Sequence, residues 1–82
     1  ENIDVNAVLA AILYEQDAIG AAATHLDMAR ATGKKSAELS MLKGLILVKQ
    51  GDRAAGLRSI KEAFKLDPYL QHPLADEALA LR

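Results

Sequence analysis

The chain has 82 residues, enough for one domain, and at this size a single core supplies only about 3–5 kcal/mol of stability. It contains no cysteine, which excludes disulfides, thiolate metal sites and thiol chemistry and leaves the redox compartment unassigned. Its formal net charge is -1, but the charges are unevenly placed: residues 1–33 are acidic and residues 34–68 basic. That split reads either as solvated outer faces carrying local ion pairs or as complementary ends that steer association. The longest apolar run, Ala7 to Tyr14, is far short of the roughly 20 residues of a membrane span, and no basic-then-apolar signal segment opens the chain. The segment therefore reads as soluble. Its start at Glu1 without a methionine points to a piece of a larger protein, and its localisation is unassigned.

Few residues are β-branched, the aromatics are limited to Tyr14, Phe64 and Tyr69, and no period-two alternation is sustained, so an all-α chain is expected. Asn2 or Asp4 can cap a first helix that ends near Gln16. In it, Val5, Val8, Leu9, Ile12 and Leu13 take packing directions while Ala7, Ala11 and Tyr14 line another side. Asp17 can cap a second helix ending at Gly33, with His25 on its outer, convex surface. Ser36 can cap a third helix that stops at Gly51. It is apolar on nearly every side, with Met41, Leu45 and Val48 on one flank and Leu39, Leu42 and Ile46 on another, so it is either sandwiched or exposes a sticky face. Asp52 can cap a fourth helix ending before Pro68, with Leu57, Ile60, Ala63 and Phe64 as its buried stripe. The loops between paired helices are too short for anything but antiparallel neighbours, giving two helical hairpins in series. A fifth helix follows His72 and Pro73 over residues 73–81; it is either a cap on the end of the stack or the first helix of a third unit.

The two hairpins echo each other. At an offset of 34 residues, Ala10, Leu13, Gln16, Ala22, Leu26 and Ala29 fall opposite Gly44, Leu47, Gln50, Gly56, Ile60 and Ala63, matching small with small and large apolar with large apolar. The second copy carries Gly44, Leu47, the turn Lys49-Gln50-Gly51-Asp52, then Gly56, Ile60, Ala63 and the terminal Leu66-Asp67-Pro68. In this pattern the chain resembles the tetratricopeptide repeat family, with a clear repeat at 37–68 and a degenerate one at 3–34, where Asp17 stands in place of Gly51 and Lys34 in place of Pro68. The resemblance implies an α–α superhelix of tetratricopeptide-type hairpins plus a closing helix. It further implies a non-catalytic interaction module, an adaptor or scaffold, that holds a partner in a concave groove lined by the first helix of each repeat.

On that resemblance the groove is built from Asp4, Ala7, Ala11, Tyr14 and Glu15 and from Glu38, Met41, Leu45, Val48 and Lys49; the core of the expected partner site is Ala7, Ala11, Tyr14, Glu38, Met41, Leu45, Val48 and Lys49. The polar residues with which family members clamp a carboxylate tail are replaced here by Ala7, Ala11, Met41 and Leu42, so an amphipathic helix or apolar peptide of another protein is the expected occupant. The same face is otherwise covered, by the closing helix, by further repeats or by a second copy in a homo-oligomer. Reading it as an open groove predicts that Leu45→Asp leaves helicity unchanged. His25 and His72 stand on separate elements without ligand-spaced neighbours, and no nucleophile elbow, phosphate loop or carboxylate pair occurs, so neither a metal nor another cofactor nor catalysis is expected. Nucleic-acid binding is not expected either, because the groove is apolar and the basic residues lie mostly on the fourth helix.

Overall fold

The computed structural model describes residues 5–33 and 36–81; the expected caps Asn2 and Asp4, and Lys34 and Lys35, lie outside them. The described residues form five helices and no strand: α1 (Val5–Glu15), α2 (Ile19–Arg30), α3 (Ala37–Lys49), α4 (Arg53–Leu66) and α5 (Ala75–Leu81). The protein is all-α. α1 pairs with α2 and α3 with α4 as antiparallel hairpins, α3 packs on α2 and touches α1, and α5 touches α3 and α4 in turn. No described helix is long and apolar enough to cross a membrane.

Local chemistry sets the helix ends. The Ser36 hydroxyl accepts from the Leu39 amide at 3.1 Å and the Asp52 carboxylate from the Ala55 amide at 3.2 Å, each satisfying a donor that the first helical turn leaves unpaired. Asp17 does not cap α2 as expected. It takes a left-handed conformation, φ 64°, and the N-cap is Ala18, which offers no side-chain acceptor. The reason lies in how α1 ends. Asp17 N–H donates to the Tyr14 carbonyl at 3.0 Å and Ala18 N–H to the Leu13 carbonyl at 2.8 Å, the paired bonds of a Schellman turn. In the second hairpin Gly51 N–H donates to Val48 at 3.1 Å and Asp52 N–H to Leu47 at 2.9 Å, the same turn 34 residues later with glycine at the left-handed position.

The two helix crossings differ in intimacy. Gly44 and Gly56 face each other where α3 meets α4: a Cβ on Gly44 would stand 2.5 Å from the Gly56 carbonyl oxygen, and one on Gly56 would stand 2.6 Å from that of Gly44. Their counterparts in the first hairpin are Ala10 and Ala22, both buried, so α1 and α2 cross with methyl groups between them. The register continues into α5. Ala10, Gly44 and Ala78 are buried at successive steps of 34, as are Ala7, Met41 and Ala75, while Leu13, Leu47 and Leu81 are all half-buried. α5 thus stands towards the second hairpin as α3 stands towards the first.

The core runs along this axis. α3 is its centre, with Leu39, Met41, Leu42, Gly44, Leu45 and Ile46 all buried, which settles the all-round apolar helix as a sandwiched one. Ile60, Ala63 and Phe64 of α4 and Leu74, Ala75 and Ala78 of the closing segment complete it. α1 departs from the expected pattern: Ala7, Ala10, Ala11 and Tyr14 face inward, whereas Val5, Val8, Leu9 and Ile12, expected to pack, are exposed.

Candidate interaction surface

Of the residues expected to line a groove, Tyr14 and Glu38 are bonded to the chain's own C-terminal segment, whereas Val48 lies against Gly56 at the α3–α4 crossing. Ala7, Ala11 and Tyr14 of α1 and Met41 and Leu45 of α3 are buried, Glu38 and Val48 are half-buried, and only Lys49 is exposed. Two polar contacts pin the cover. The Tyr14 hydroxyl donates to the Glu77 carboxylate of α5, and Glu38 accepts from His72 Nε2 at 3.1 Å. His72 Nδ1 accepts from the Leu74 amide at 3.1 Å and its carbonyl from the Ala75 amide at 3.0 Å, so one residue both starts α5 and ties it to α3. The physical reason is the groove's own composition. A face of Ala, Met and Leu is costly to leave in water, at about 25 cal/mol per Å², and Leu74, Ala75 and Ala78 of the closing segment are buried with it in one core cluster.

Burial raises the pKa of Tyr14 above its ordinary value of 10.0, and the hydrogen bond to Glu77 and the negative charges of Glu77 and Asp17 raise it further. The phenol remains a neutral donor. At the end of the closing helix, Tyr14, Glu15, Asp17, Lys49, Leu74 and Glu77 line an open hollow. It brings Lys49 near Tyr14 and Glu77.

His25 is not on a free convex surface; it is half-buried, with Nδ1 3.0 Å from Asn6 Oδ1, and so bridges α1 to α2. Among the described residues no three His, Asp or Glu side chains converge as metal ligands, and no buried side-chain polar atom lacks a partner.

The large apolar surface that remains lies elsewhere. Val5 is 64% exposed, Val8 42%, Leu9 36% and Ile12 44%, and their i, i+3, i+4, i+7 spacing makes one stripe along the outside of α1. Periodicity identifies this stripe but does not say which side of the helix is wet. The signal that decides it is the repeat itself: at the 34-residue offset the stripe falls on Leu39, Leu42, Lys43 and Ile46, the side of α3 that packs on the preceding hairpin. Family models, curated proteins and solved structures give no match to this chain.

Proposed function

We propose that the chain is a non-catalytic protein–protein interaction module, an adaptor or scaffold of the tetratricopeptide kind, whose partner surface is the apolar stripe of α1. The observation that carries this reading is the pattern of α1: alanines inward, and Val5, Val8, Leu9 and Ile12 outward in water. Isolated exposed apolar residues are ordinary, but a continuous helical stripe of four large ones is the usual mark of an interaction site. Repetition of the Schellman turn at Asp17 and Gly51, and of the small crossing residues Ala10 and Gly44, supports the repeat assignment. In the groove formed by Met41, Leu45 and Tyr14, a partner helix would have to replace α5, whereas the stripe is open to a partner without rearrangement.

Val8→Asp and Ile12→Asp test the reading. Both should leave the far-ultraviolet circular dichroism and the melting midpoint nearly unchanged, because they alter an already wet surface, whereas Leu45→Asp should unfold the chain by placing a charge at a fully buried position. Unfolding by the α1 substitutions would make the stripe core and end the proposal. A second reading, self-assembly into a homo-oligomer, is favoured by the charge split, since exposed Arg53, Arg58, Lys61 and Lys65 lie on α4 and exposed Glu15 and Asp17 at the end of α1. Light scattering over a concentration and salt series separates the two: a salt-insensitive monomer rejects self-assembly.

A further inference from the structure

We propose that the cavity where α2, α3 and α4 meet is a binding site for a phosphomonoester group. It holds about 240 Å³ and is lined by Arg30 of α2, by Ser36, Ser40 and Lys43 of α3, and by Ser59 and Glu62 of α4. No residue of α1 lines it, so the site stands apart from the stripe discussed above. Lys43 is the anomaly that points to it. Leu39, Leu42 and Ile46 around it on α3 are buried, Lys43 itself is half-buried, and its counterpart 34 residues earlier is Leu9. A half-covered lysine among apolar neighbours ordinarily takes a carboxylate partner. Here it shares two adjoining hollows with Arg30, and among the described residues neither cation forms a hydrogen bond or an ion pair. Asp27 borders one hollow and Glu62 the other, yet neither carboxylate is bonded to either cation. Neighbouring cations without a bonded counter-charge repel each other, and an anion held by both relieves that repulsion.

The hydroxyls narrow the ligand class. Thr24 and Thr32 satisfy theirs on backbone carbonyls, at 3.1 Å and 2.8 Å. Ser40 and Ser59, half-buried on the α3 and α4 walls, make no side-chain hydrogen bond among the described residues. Ser36 accepts from the Leu39 amide and so keeps its own proton free to donate. The cavity thus offers an ammonium, a guanidinium and several hydroxyl donors to one guest. A carboxylate brings a single charge on a planar pair of oxygens. A phosphomonoester brings about -1.5 to -2 charges spread over its terminal oxygens, which suits a pair of cations with hydroxyls on the walls around them. Glu62 bears on what the phosphate is attached to, because a carboxylate on the wall repels a bare anion and accepts from a hydroxyl on the ligand's body.

The test titrates the full chain with inorganic phosphate, glycerol 3-phosphate, a phosphoserine peptide and acetate, at an ionic strength held constant with chloride, and follows the amide resonances. Saturable shifts are expected at Arg30, Ser40, Lys43 and Ser59, with the phosphate esters bound at least about tenfold more tightly than acetate. Lys43→Met, which keeps the apolar stem, and Arg30→Gln, at an exposed position, should each weaken ester binding about tenfold and leave the far-ultraviolet circular dichroism unchanged. Ser40→Ala and Ser59→Ala should each weaken it about threefold. Glu62→Gln should tighten the binding of inorganic phosphate and erase any preference of glycerol 3-phosphate over it. The ester that binds more tightly identifies the source, a small phosphorylated metabolite or a phosphorylated side chain, and either supports the site. Absence of saturable shifts, acetate bound as tightly as the esters, or shifts of equal size at Arg53, Arg58, Lys61 and Lys65, which general charge screening would give, overturns the proposal. Unchanged affinity in both Lys43→Met and Arg30→Gln overturns it as well. None of these outcomes bears on the α1 stripe, which Val8→Asp and Ile12→Asp test separately.

Discussion

Asp17 and Ala18 do at the first turn what Gly51 and Asp52 do at the second, and do it less well. Both turns use the same pair of backbone bonds, and the residue after each left-handed position has nearly the same backbone, φ -86° and ψ 67° at Ala18 against φ -101° and ψ 74° at Asp52. Asp52 caps its helix there and Ala18 cannot. Ala18→Asp should therefore stabilise the fold by about 1 kcal/mol, the usual value of an N-cap, and Asp17→Gly should add up to about 1 kcal/mol by relieving a left-handed non-glycine residue; urea denaturation of the single and double variants measures both. Tyr14 gives a pH dependence. Its folded-state pKa lies above the ordinary 10.0, so its stabilising effect is complete below pH 10 and is lost as pH rises above it. Tyr14→Phe should cost about 1 kcal/mol at neutral pH through the lost bond to Glu77, and the difference from the parent should shrink between pH 10 and 12.

At the scale of elements, the punctuation was legible and the orientation of one helix was not. Ser36 and Asp52 mark helix starts because a side-chain acceptor at that point satisfies a first-turn amide, and the structure uses both. Asp17 has the same composition signal and a different role, since an aspartate near a helix junction can either cap the next helix or take the left-handed position that ends the previous one. The all-round apolarity of α3 left a sandwiched helix and an exposed sticky face as alternatives, and the burial of six of its residues decides for the first. α1 could not be oriented, because it has two apolar faces and hydrophobicity favours the one with the larger residues. Packing selects the other, since alanines let α1 approach α2 closely, as the glycines do between α3 and α4. That closeness can be tested at Gly44. Its absent Cβ would press on a backbone carbonyl, which cannot move aside as a flexible side chain can, so Gly44→Ala should cost about 1–3 kcal/mol despite the better helix propensity of alanine. A stability gain in thermal denaturation would contradict the crossing geometry.

On the scale of the whole molecule, Tyr14 and Glu38 of the expected groove bond to the closing segment while Val48 lies against Gly56 of α4, so the state of that face depends on the closing segment. The sequence left covered and open as alternatives because α5 is short, and seven residues have little helix propensity to declare what they dock against. What fixes α5 is tertiary: the His72 bridge to Glu38, the Tyr14 bond to Glu77, and burial of Leu74, Ala75 and Ala78. In a chain this small no second core can compensate, so the cover and the hairpins should melt as one unit. Leu74→Ala isolates the packing contribution, because the residue is 5% exposed and its truncation leaves both polar contacts in place. It should cost about 2–3 kcal/mol, a large share of the stability available to a domain of this size, and amides in α3 as well as α5 should lose hydrogen-exchange protection together. Protection lost from α5 alone would mean that the closing helix opens independently, and the face of Met41 and Leu45 would then be intermittently accessible to a competing helix.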